Sequence, residues 1–137
     1  MNIRAIMLLA VLAVVGCDTD WPQSTQTCEV IGHLTIDGES LSDVKVVFIP
    51  QRIKENGEVT KIASGLTNDR GMFELKVDSR DEKKIQHGNY RVLVSKKVDG
   101  EELFHRSYNE DSQLMIEINS QEAIQRPKLE LKTTGTL

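Results

Sequence analysis

The chain has 137 residues, 28% of them charged, and a formal net charge of −4. That length suits one domain, and the acidic balance leaves no basic footprint for nucleic acid and no electrostatic grip on anionic lipid head groups. Its 39% hydrophobic content is ordinary for a globular protein, but much of it is gathered before residue 17, and the remainder is still long enough to bury one core without staples.

Met1 to Arg4 reads as a short n-region with one fixed positive charge. Ile6 to Val15 (IMLLAVLAVV) is an unbroken apolar run. As a helix it would reach only about 15 Å, half the hydrocarbon thickness of a bilayer, so a cleaved secretory segment is expected rather than a membrane span. Val14-Val15-Gly16-Cys17 follows directly. This tetrad resembles the lipobox of bacterial lipoproteins. The resemblance implies cleavage of the signal peptide between Gly16 and Cys17, a diacylglyceryl group on the Cys17 thiol, and a further acyl chain such as palmitate on the new amino group. Two or more chains anchor a protein stably, because each buried methylene contributes about 0.8 kcal/mol. Membrane lipid, reached through Cys17, is the first expected partner, and the expected location is the extracytoplasmic side of a bacterial membrane. Asp18 resembles a lineage-specific signal for inner-membrane retention, which leaves inner and outer membrane both open.

Asp18 to Thr27 (DTDWPQSTQT) is polar and aperiodic and reads as a tether. Trp21 within it suits a membrane interface or a plain exposed linker equally. With Cys17 lipidated, Cys28 stands alone in an oxidising compartment, and its plain reading is a small, partly buried side chain opening the first strand.

From Glu29 the pattern has a period of two. Val30, Gly32, Leu34 and Ile36 alternate with polar residues up to the turn Asp37-Gly38. Val44, Val46 and Phe48 form the next strand, closed by Pro50. Gln51 to Glu58 is polar and centred on the turn signal Asn56-Gly57. Val59 to Thr67 is extended, Asn68 to Gly71 turns, and Met72 to Val77 alternates again. Asp78 to His87 is charged, with a short helical turn expected around Asp81 to Ile85. Tyr90 to Ser95, Leu114 to Ile118 and Leu129 to Leu131 complete seven strand candidates, with Asp99-Gly100 marking a turn in the polar stretch between them. With no long amphipathic helix, these spacings predict an all-β, antiparallel sandwich whose edges are guarded by Lys and Glu.

Three stretches add a family resemblance: His33 to Pro50 (HLTIDGESLSDVKVVFIP), Gly65 to Leu75 (GLTNDRGMFEL) and Gly88 to Ser95 (GNYRVLVS). Together they resemble the carboxypeptidase regulatory-like domain, which implies a seven-stranded transthyretin-like β-sandwich. The implied organisation is a signal peptide over 1–16, a lipid anchor and tether over 17–27, the sandwich over 28–132 and a tail over 133–137. Such a fold says little about chemistry by itself. Within it, Gly38 and Gly71 are expected at positive φ, Phe73 and Tyr90 in the core, and the Tyr90 hydroxyl on backbone near a strand end, as in a tyrosine corner.

The residues carry no catalytic signature. His33, His87 and His105 lack metal-ligand spacing, and neither a phosphate loop nor a nucleophile elbow is present. Asn68-Asp69 and Asn109-Glu110-Asp111 read as turns rather than calcium ligands. No cofactor and no metal are expected, and the expected function is a non-enzymatic binding or structural module contacting an envelope protein or a glycan. Carbohydrate binding is the alternative, with Phe104 and Tyr108 as the candidate exposed aromatics, and an unrecognised hydrolase is the remote third.

Overall fold

The computed structural model describes residues 27–51, 61–77, 82–119 and 122–133. Gly16, Cys17, the tether to residue 26 and the turn at Asn56-Gly57 lie outside them. The described strands, in chain order, are β1 (Thr27–Ile36), β2 (Glu39–Ser40), β3 (Lys45–Pro50), β4 (Ala63–Leu66), β5 (Met72–Glu74), β6 (Lys76–Val77) and β7 (Lys84–Gln86). They continue with β8 (Gly88–Ser95), β9 (Lys97–Val98), β10 (Glu101–Glu102), a 3-10 turn (Arg106–Tyr108), β11 (Met115–Ile118), β12 (Ile124–Gln125) and β13 (Lys128–Leu131).

The alternation in β1 makes it the spine of one sheet. Cys28, Val30, Gly32 and Leu34 are buried, while the residues between them are half-buried or exposed. One edge of β1 takes β7, β5 and β2 in turn, all antiparallel, and the other edge takes β12 and β13. The second sheet runs β11-β8-β3-β4-β6 and is antiparallel throughout. The architecture is therefore all-β and sandwich-like, with sheets not closed into a barrel. No helix among the described residues is long and apolar enough to cross a membrane.

The two inner faces meet in one core. Val30, Leu34 and Phe73 come from the first sheet, and Val46, Phe48, Tyr90, Val92 and Val94 from the second. Phe48 packs tilted on both Phe73 and Tyr90, with centroids 6.4 and 5.9 Å apart, the offset geometry that aromatic quadrupoles favour. The stretch from Met72 to Val77 belongs to both sheets. β5 pairs with β1, the Leu75 N–H donates to the Val30 carbonyl at 2.9 Å, and β6 then pairs with β4.

Three expectations need correction. The single strand expected from Met72 to Val77 is two, because the chain changes sheets at Leu75. The sandwich is not purely antiparallel, since β12 and β13 run parallel to β1. No helical turn spans the described part of Asp81 to Ile85. Lys84–Gln86 is strand, because Ile85 sits opposite Cys28 and buries its side chain in the core, a tertiary gain that overrides local helix preference.

The recurrent motif residues have structural work. The buried Thr67 hydroxyl donates to the Leu41 carbonyl at 2.6 Å and accepts from the Val44 N–H at 2.9 Å, fastening the loop before β3. The Asn68 side-chain oxygen accepts from the N–H groups of Arg70 and Met72, an Asx-type turn. Gly71 has φ +73°, and a Cβ there would lie 2.3 Å from the Leu34 carbonyl oxygen. The Tyr90 hydroxyl donates to the Gln86 carbonyl at 2.6 Å, four residues back, as the tyrosine-corner expectation had it.

Two predictions follow from this packing. At Gly32 an added Cβ would fall 2.1 Å from the Phe73 ring, which is itself buried. Gly32→Ala should therefore cost about 1–3 kcal/mol in denaturant unfolding, as overpacked cores do, and an unchanged midpoint would contradict that ring position. Burial, and secondarily the charge of Cys28, pushes the Tyr90 phenol up to about 12. Both folded and unfolded chains hold that proton below about pH 10, and above it the unfolded chain releases it first. Stability should thus fall as pH rises through the folded value, and Tyr90→Phe should flatten this alkaline loss while costing about 1–2 kcal/mol at neutral pH.

Candidate functional site

One end of the sandwich carries a cavity of about 240 Å³, lined by the apolar Ile36, Leu41, Leu103 and Phe104 together with the polar Asp37, Glu39, Ser40, His105, Lys132 and Thr133. Three segments build it. The first is the β1–β2 hairpin, whose two turn residues Asp37 and Gly38 have φ of 51° and 83°, the left-handed pair that a tight type I′ turn needs. The second is the segment leaving the β9–β10 hairpin, and the third is the chain just past β13.

The wall formed by Lys132 and Thr133 is held at two points. The Lys132 N–H donates to the Tyr108 hydroxyl at 3.0 Å. The Thr133 N–H donates to Asp37 Oδ1 at 3.2 Å, and its hydroxyl donates to Asp37 Oδ2. These Thr133 hydrogen bonds, helped by the charge of Lys132, hold the Asp37 carboxyl below the usual carboxylate range.

The opposite wall is pinned by Glu102. Its carboxylate accepts from Ser95 Oγ at 2.6 Å, the Lys96 N–H at 3.0 Å and the Phe104 N–H at 3.2 Å. Burial alone would raise the Glu102 carboxyl, but the donors outweigh it and the group is held low. Lys96 also donates from Nζ to the Ser42 carbonyl at 2.7 Å, so the hairpin is fastened to the loop preceding β3. Leu103 is left 52% exposed on this wall.

Phe104 and Tyr108 are not the exposed aromatics expected from the sequence. Phe104 is 8% exposed and Tyr108 2% exposed, and both belong to the core cluster. The polar stretch around them hid this, because Ser112, wholly buried, ties it down by donating to the Val92 carbonyl at 2.6 Å. Phe104 still lines the cavity, but neither ring offers an open stacking platform for a sugar.

The three histidines are not brought together. His33 Nε2 bonds the Arg70 carbonyl oxygen at 2.9 Å, and His105 caps the 3-10 turn. Among the described residues no group of three or more His, Cys, Asp or Glu is placed to hold a metal. His105 Nδ1 lies 3.0 Å from Ser107 Oγ, yet it also accepts the Ser107 N–H at 3.2 Å. That cap occupies the lone pair a general base would need. Asn109 Oδ1 accepts the Glu110 N–H at 2.6 Å, a turn contact. Cys28 is buried, and burial pushes its thiol up, the opposite of what a reactive thiolate requires.

The two-point fastening of the wall has a direct test. The Asp37 tie is complete above the usual carboxylate pKa of about 3.9 and is lost as pH falls through the lower folded value. Asp37→Ala should speed amide exchange at Thr133 while Lys132 stays protected by Tyr108. Equal changes at both amides, or none, would contradict the arrangement.

The chain matches no protein-family model and no curated protein.

Proposed function

We propose that this chain is a lipid-anchored protein of the bacterial cell envelope, tethered through Cys17, whose sandwich is a non-catalytic module that seats part of an envelope protein in the end cavity. One observation carries the reading: the cavity lies at the end of β1 away from Thr27, the first described residue after Cys17 in the chain. The tether enters at Thr27, and the cavity begins at Ile36 and Asp37, about 30 Å away at strand rise. A chain fastened at residue 17 would hold that cavity away from the lipid, where another envelope component can reach it.

The chemistry of the cavity favours a protein over a glycan. Its lining is apolar, with Leu103 half out in solvent, and the aromatic rings that a sugar would stack on are buried. An aliphatic or aromatic side chain of a partner fits such a seat, with Glu39 and Lys132 in the lining to set its orientation. On the motif stretches of the sequence we read the sandwich as transthyretin-like, of the carboxypeptidase regulatory-like pattern. That pattern accounts for why Thr67, Gly71 and Tyr90 do structural work while none of them faces the cavity.

Crosslinking on intact cells with mass spectrometry tests the proposal, comparing the native chain with Cys17→Ala and Leu103→Asp. A defined envelope partner should be captured by the native chain and lost with Cys17→Ala. Leu103→Asp should keep the anchor and the fold yet lower capture on the order of tenfold or more, as removal of a central apolar contact does. Unchanged capture by Leu103→Asp, or turnover of esters, peptides or ureides by the purified chain, would overturn it.

A further inference from the structure

We propose that two copies of the chain pair edge to edge through β11, antiparallel, with Met115 of each copy opposite Glu117 of the other. This contact shares no residue with the end cavity and stands independently of what that cavity binds.

β11 ends the second sheet. Among the described residues it pairs only with β8, in the register Met115↔Arg91, Ile116↔Tyr90, Glu117↔Asn89 and Ile118↔Gly88. The Val92 N–H donates to the Leu114 carbonyl at 2.8 Å. Leu114, Ile116 and Ile118 therefore turn their backbone groups toward β8, and Met115 and Glu117 turn theirs outward. Among the described residues those outward N–H and C=O groups meet no other strand, and they offer a template for one.

The other long edge is defended and this one is not. β13 presents exposed Lys128 and Glu130, with exposed Lys132 just after it, a charge guard that discourages pairing. β6 is only two residues long and is already bridged by Glu82. β11 instead carries Met115, 50% exposed, and a single charge at Glu117.

Charge selects a second copy of this chain as the occupant. Arg91 stands beside Met115 on the outer face, half-buried, and among the described residues its Nε has no hydrogen-bond partner. In the proposed register each Met115 is flanked by its own Arg91 on one side and the second copy's Glu117 on the other. The two strand spacings between them come to about 10 Å, which an extended guanidinium and carboxylate close between them across the methionine. The pairing is two-fold, so the arrangement forms twice and is self-complementary. Shifting the register to set Glu117 against Glu117 would place like charges opposite one another, which disfavours it.

Native mass spectrometry of the full chain purified from cells tests this, since it counts copies and weighs any other protein bound. The native chain should be dimeric at about 20 µM, a concentration that populates contacts of micromolar strength. Met115→Pro should be monomeric with its fold intact, because the lost N–H faces away from β8 and a proline is tolerated on an edge. Glu117→Arg should weaken the dimer on the order of tenfold, and adding Arg91→Glu to it should restore dimerisation. A monomeric native chain, a folded Met115→Pro chain that stays dimeric, or a different protein bound in place of the second copy would overturn the proposal.

Discussion

Everything in this sandwich hangs on the double pairing of β1. Ten residues serve as the common partner of five other strand segments, none of them longer than four residues. Segments that short cannot hold a sheet by pairing with one another, because a few backbone bonds do not repay the loss of chain entropy. Laid along one continuous strand they share its order. The close approaches fall on the same line: the Phe73 ring over Gly32, and the Leu34 N–H on the Gly71 carbonyl at 2.8 Å.

The strand core was largely legible from the sequence. Alternation of Val30, Leu34, Val46, Phe48, Val92 and Val94 with polar neighbours places each on an inner face, and each is fully buried. Asp37-Gly38 and Asp99-Gly100 gave their turns for the same local reason, a need for positive φ at both residues. What local pattern cannot carry is partner choice. Nothing in Ile124-Gln125 or Lys128 to Leu131 specifies that they lie parallel to β1, and nothing in the charged stretch before His87 says that Ile85 reaches the core. The sheet change at Leu75 is equally silent, because alternation continues through it.

The candidate site was less legible still. Its apolar lining comes from three segments far apart in sequence, and only the fold brings Leu41, Leu103 and Lys132 to one cavity. Phe104 and Tyr108 misled for a physical reason: they sit in polar sequence, where burial depends on Ser112 and Glu102 satisfying the backbone around them. The same anchoring gives the cavity firm walls at the Ile36 end of β1.

Native-state hydrogen exchange along β1 tests the central role of that strand most directly. The amides of Glu29 and His33, which face β12 and β13, and of Leu34, which faces β5, should exchange only with global unfolding, at the same free energy as Val46 and Leu93 in the other sheet. If Glu29 and His33 instead exchange through a low-energy local opening while Val46 and Leu93 stay protected, then β1 is not the element on which the two sheets depend.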